Sequence, residues 1–91
     1  MYAVIFKATI AKFDEEYFST AQRLKDLSFK MYGCRNFISA TEGEQEIAIS
    51  YWGSEQQILD WKNDPEHRHA QKLGQDKWYK SFSVEVCKIV R

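Results

Sequence analysis

Asn36-Phe37-Ile38-Ser39-Ala40-Thr41 and Glu46-Ile47-Ala48-Ile49-Ser50-Tyr51-Trp52, joined by Glu42-Gly43-Glu44-Gln45, decide the fold. Both runs are rich in β-branched and aromatic residues, and the connection is polar with a glycine. The stretch therefore reads as an antiparallel hairpin. Side chains alternate along a strand, so the adjacent Tyr51 and Trp52 point to opposite faces and at most one of them lines any given cavity.

Upstream of the hairpin, Tyr2 to Ile10 alternates as a first strand, with Tyr2, Val4, Phe6, Ala8 and Ile10 on one face and Ala3, Ile5, Lys7 and Thr9 on the other. Asp14 is placed to cap a helix from about Glu15 to Tyr32, and Glu15 and Glu16 suit the positive end of its dipole. Tyr17, Ala21, Leu24, Leu27 and Met31 recur at helical spacing, and Gly33 is a natural stop.

Downstream, Ser54 with Gln57 forms a capping box for a short helix carrying Ile58, Leu59 and Trp61. Asp64-Pro65 restarts a helix through Glu66, His67, Ala70 and Leu73, with Pro65 at the first position, where its missing N–H costs nothing. Gly74 is a possible end. Trp78 and Tyr79 precede a last alternating strand, Phe82 to Val90.

The element order is thus βαββαβ. With right-handed crossovers this gives an α+β, ferredoxin-like domain spanning residues 1–91, whose four-stranded antiparallel sheet carries both helices on one face. Strands one, three and four show apolar residues on both faces, including Ile5 beside Phe6, and Cys87 and Ile89 beside Val86. A sheet covered on one side only should have a more polar outer face. The expected cover is the same face of a second copy, giving a homodimer and a dimeric α+β barrel.

Thirteen acidic residues balance thirteen basic ones, which removes the electrostatic motive for a nucleic-acid or anionic-membrane partner. No apolar run approaches the roughly 18–20 residues that span a bilayer, and Met1 leads into a strand pattern rather than a leader, so a cytoplasmic location is expected. Cys34 and Cys87 are far apart and lack metal-ligand spacing, which points to reduced packing residues and to neither a disulfide nor a metal site. Three Trp, five Tyr and six Phe in so short a chain supply either core or the wall of an aromatic-binding cavity.

The strand ending Ile49-Ser50-Tyr51-Trp52, then Ser54-Glu55, Trp61, Asp64-Pro65-Glu66-His67, and Trp78-Tyr79 before a closing strand, resembles the antibiotic biosynthesis monooxygenase superfamily over nearly the whole chain. The resemblance implies a dimeric ferredoxin-like barrel with an apolar cavity between sheet and helices. It also implies oxygen chemistry on reduced aromatic substrates of quinol or anthrone type, without metal or flavin. Such chemistry needs a dry, flat pocket, a base and a donor for the developing oxyanion. Trp61 Nε1 is the candidate donor and His67 the candidate base, with Phe6, Tyr51, Trp52 and Trp78 as candidate contacts to a small aromatic or quinone-like ligand.

Bland readings stand beside these: Trp61 as core, His67 as a group bonding near the Asp64-Pro65 helix start, and Trp78 as packing. Haem-degrading members of the superfamily carry a strand-one Asn and a histidine ten residues beyond the helix Trp. Here strand one has no Asn and the tenth residue after Trp61 is Gln71. No cofactor is therefore expected, with haem binding through His67 or His69, or simple storage of a hydrophobic ligand, as the alternatives.

Overall fold

In the computed structural model, which describes residues 1–91, the sequence folds as β1 (Tyr2–Ile10), α1 (Glu15–Met31), β2 (Asn36–Glu42), β3 (Gln45–Trp52), α2 (Glu55–Lys62), α3 (Pro65–Leu73), a π-helical turn (Gly74–Trp78) and β4 (Tyr79–Lys88). The strands form one antiparallel sheet in the order β2-β3-β1-β4, the ferredoxin-like arrangement. Four of the five expected caps and breaks act as the sequence suggests, Gly33 following the end of α1 at φ +78. Asp14 Oδ1 accepts from the Tyr17 amide at 2.7 Å, Ser54 Oγ from Gln57 at 3.2 Å, and Asp64 Oδ1 from Glu66 at 2.8 Å. Gly74 is the exception. It keeps helical angles, and the chain widens into a π turn before entering β4 at Tyr79, three residues ahead of the expected start. The strand also closes earlier, at Lys88, leaving Ile89 outside it.

Register fixes the two faces. Val4, Phe6 and Ala8 of β1 lie opposite Ser50, Ala48 and Glu46 of β3 and opposite Val86, Val84 and Phe82 of β4, all on the helix side. The outer face carries Ala3, Ile5, Ile47, Ile49, Tyr51 and Ile38, but on β4 it is Ser81, Ser83, Glu85 and Cys87. Apolar β4 residues thus concentrate on the helix side and not on both faces as expected. They are nevertheless about half exposed there, Phe82 at 46% and Val84 at 55%, because beyond Tyr79 no β4 side chain joins the buried clusters under the helices.

Two such clusters hold helices to sheet. One joins Val4, Cys34, Trp52, Ile58 and Trp61, and the other Ala8, Ile10, Tyr17 and Trp78. On α1 the buried line is Tyr17, Leu27 and Ser28, while Ala21 and Met31 of the expected stripe face solvent. Ser28 is tolerated inside because its hydroxyl donates to the Lys25 carbonyl at 2.6 Å. Only 15 of 91 residues are buried, so a lone chain has a thin core with much apolar surface left over.

Two glycines test this account. A Cβ on Gly74 would stand 2.3 Å from Tyr79 Cε2, whose ring packs against Phe6 and Phe82. Gly43 has nothing within 4 Å but sits at φ +58 in the hairpin turn. Gly74→Ala should cost about 1–3 kcal/mol through overpacking. Gly43→Ala should cost about 1–2 kcal/mol through backbone strain alone. Urea denaturation measures both, and near-ultraviolet circular dichroism should change only for Gly74→Ala.

Candidate functional site

The α2–α3 junction sets the site. Helix α2 ends because Asn63 and Asp64 fold back to the Leu59 and Trp61 carbonyls, at 3.0 and 3.1 Å. Helix α3 begins immediately, with Asp64 Oδ1 accepting from the amides of Glu66 at 2.8 Å and His67 at 3.3 Å. This tight reversal lays the His67 ring over the Trp61 ring, with centroids 4.2 Å apart and planes inclined by 39°. His67 Nδ1 comes to 3.0 Å from the Trp61 carbonyl oxygen. A carbonyl only accepts, so Nδ1 carries the proton and Nε2 holds the lone pair of the neutral ring.

Trp61 is buried beneath it, 5.1 Å from the Trp52 ring and edge-on to Phe37 at 6.2 Å. Its Nε1 is shielded from solvent and has no hydrogen-bond partner. The other two indoles differ. Trp52 Nε1 donates to Ser50 Oγ at 2.8 Å, and Trp78 Nε1 to Asp14 Oδ2 at 3.4 Å. Leaving one buried N–H unpaired costs on the order of 1–3 kcal/mol, so Trp61 is the indole with donor capacity to give.

Electrostatics favour His67 over the other candidates as a base. Burial holds it below the ordinary 6.5, with the Trp61 carbonyl and the Asp64 charge opposing only in part, so the ring is neutral at neutral pH. Burial, with the Glu46 charge nearby, pushes the Tyr79 hydroxyl up to about 12 and Tyr17 higher still, which makes both permanent donors. Asp64 is held below its usual range first by the Tyr32 hydroxyl, which donates to its Oδ2 at 2.5 Å. Glu66 is drawn down by the bidentate Arg23 guanidinium, at 2.9 and 3.0 Å. That pair is exposed, so solvent and salt screen it.

The expected site residues fall into four groups. Trp61 and His67 are brought into contact. Phe6 is half-buried on the helix side of β1, two residues from Val4 of the Trp61 cluster, and forms an aromatic group with Tyr79 and Phe82 at 5.4 and 6.3 Å. Trp52 and Trp78 are almost wholly enclosed with their N–H groups paired, so the expected ligand contact gives way to a core role for both. Tyr51 lies on the outer face, across the sheet from Trp61. The space expected to be an apolar cavity is filled, near Trp61, by Trp52 and Phe37. A groove of about 570 Å³ runs instead between α1 and α3, lined by polar groups including Ser19, Thr20, Arg23 and His69, and neither Trp61 nor His67 lines it. Gln71, at the place of the haem-ligating histidine, is a half-buried residue of α3 whose amide is no axial ligand, so these residues do not fit haem at that place. Sequence reading missed Tyr32, whose partner Asp64 is thirty-two residues away.

Solved structures with this architecture include the cofactor-independent oxygenase SnoaB of Streptomyces nogalater, with a TM-score of 0.80 and 13% identity over 99% of this chain and 93% of that one. A conserved protein of Methanosarcina mazei matches at 0.79 and 14% identity over 96% and 90%, and an antibiotic biosynthesis monooxygenase at 0.71 and 13% over the full length of both. The fold is therefore that of the antibiotic biosynthesis monooxygenases. No family model matches the sequence. The uncharacterised protein YqjZ of Bacillus subtilis is 35% identical over 91 residues, covering 99% of this chain and 80% of YqjZ, and the chain belongs to the same family as YqjZ. No helix is long and apolar enough to cross a membrane.

Since the folded-state value of His67 lies below the unfolded one, the unfolded chain takes up that proton first. The contribution of His67 to stability is whole above about pH 6.5 and is lost as pH falls from there toward the folded-state value. Asp64 and Glu66, held below 3.8 and 4.5, lose theirs only in more acid solution. Urea midpoints should therefore drop between about pH 7.5 and about pH 5.5, and the drop should be smaller in His67→Gln. An equal drop in both would remove His67 as its source.

Proposed function

We propose that the chain binds a flat, reduced aromatic molecule of anthrone or quinol type beside Trp61 and His67 and oxidises it with dioxygen, using no metal or flavin. The buried, unpartnered Trp61 Nε1 stacked against a neutral histidine carries this reading. The likeness to the fold of SnoaB supports it. In an anthrone, His67 Nε2 takes a proton from the ring methylene, and Trp61 Nε1–H donates to the oxygen on which the enolate charge develops. The carbanion combines with dioxygen. The methylene becomes a carbonyl, one oxygen atom stays in the product and the other leaves as water with the two methylene hydrogens.

The ligand lies along the apolar helix-side strip of Phe6, Phe82, Val84 and Val86, which the helices leave open. Because the Trp61 N–H is out of contact with solvent, a ligand reaches it through local opening of the packing around it. The working form is a homodimer joined through the outer sheet face, where Ile38 and Ile47 are 49% and 41% exposed beside Ile5, Ile49 and Tyr51. Covering that face would hide apolar area that a thin monomer core cannot.

Oxygen uptake by purified, metal-free protein with a panel of anthrones and quinols is the test. Saturable uptake is expected, falling at least about 100-fold in His67→Ala and clearly in Trp61→Phe. In the wild type the rate should fail as pH drops through the depressed value of His67, where the base becomes charged. Uptake equal to the buffer control across the panel would contradict catalysis and leave storage of a hydrophobic ligand. In sedimentation equilibrium the protein should have twice the 10.8 kDa chain mass, and Ile47→Lys, opposite Lys7, should shift it toward monomer.

A further inference from the structure

Tyr32 ends α1, and its hydroxyl meets Asp64 Oδ2 at 2.5 Å, while the other carboxylate oxygen holds the amides of Glu66 and His67. The same carboxylate therefore anchors α1 and fixes the first turn of α3. That turn determines where the His67 ring lies, since its Nδ1 can meet the Trp61 carbonyl only if α3 starts directly after Asp64. A simple cap would need only one oxygen and a short polar side chain. Here the second oxygen is taken by a phenol thirty-two residues away, and the first meets the backbone amide of the residue that carries the imidazole, at 3.3 Å.

From this geometry we infer that Tyr32 and Asp64 form a positioning pair for His67: Asp64 fixes the ring's place and presents its charge to it, and the Tyr32 hydroxyl sets how much of that charge the ring feels. The pair deepens the reading of His67 as a base and rests on it only for its biological purpose. Other charges near this junction are Glu66, which is bound to Arg23 from α1, and Asp60 on α2, which accepts from Gln56 Nε2 at 2.8 Å. Asp64 is the carboxylate that meets His67 directly, through the backbone amide at 3.3 Å.

The two partners should pull in opposite directions. A Tyr32→Phe change removes the proton that shares the Asp64 charge, so a fuller negative charge faces His67 and favours its cationic form. An Asp64→Asn change keeps an acceptor for the amides but deletes the charge, which favours the neutral ring. A purely structural contact would loosen the junction in either variant and move His67 toward the ordinary value of an exposed histidine both times.

Long-range proton–nitrogen NMR of the ring, followed through a pH titration with the exposed His69 as internal reference, reads this directly. In the wild type, Nδ1 should carry the proton of the neutral ring. The His67 midpoint should move to higher pH in Tyr32→Phe and to lower pH in Asp64→Asn. Shifts in the same direction, or unmoved midpoints, would overturn the proposal. So would a wild-type ring protonated on Nε2, which needs no variant to fold. Since the readout is the imidazole, opposite shifts without oxygen uptake would keep the pair and sink the oxygenase reading, whereas uptake with unmoved midpoints would do the reverse.

Discussion

Asp64 uses both carboxylate oxygens, and the helix side of the molecule depends on it. One oxygen closes the first turn of α3 and the other reaches the end of α1. Pro65 bars α2 from running on, and the Asp64 carboxylate closes the first turn of the helix that starts there. The reversal between them places an imidazole over an indole three residues back from the cap. Burial then does the chemical tuning, lowering His67 while the nearby carboxylate limits how far.

Beneath that junction the sheet divides its work by face. On the helix side, large rings at Trp52 and Trp61 fill one end, Tyr17 and Trp78 fill the other, and Phe6 lies between them only half covered. Opposite Phe6 stand Ala48 on β3 and Val84 on β4, and Val84 is 55% exposed. On the outer side, isoleucines of β2 and β3 form an apolar surface, whereas β4 is polar there. The surplus of apolar surface is thus split between a strip on the helix side and a patch on the outer face.

Most of the fold was legible in the sequence. Alternation, caps and the Gly43 turn gave the four strands, the three α-helices and their order, because each depends on residues within a few positions. The misses came from packing at a distance. Gly74 keeps helical angles with the Tyr79 ring packed where a side chain would stand, and α1 buries Ser28, with its hydroxyl paired to the Lys25 carbonyl, in place of Met31. At the site, Trp61 and His67 could be singled out from their spacing, and the Asp64 cap suggested that His67 would bond nearby. The roles of Trp52 and Trp78 could not be told apart from that of Trp61, since all three are large rings that suit a core or a ligand contact equally. What separates them is whether the indole N–H finds a partner, a three-dimensional property supplied by Ser50 for one and Asp14 for another.

The account therefore stands on a single distinction among three indoles, and nitrogen-15 spectra of the indole N–H groups during titration with a naphthoquinone test it most directly. Assigned by Trp→Phe variants, the Trp61 signal should shift saturably with added ligand while those of Trp52 and Trp78 stay near their starting positions. A Trp61 signal that does not move as the quinone binds, or movement confined to the other two indoles, would contradict it.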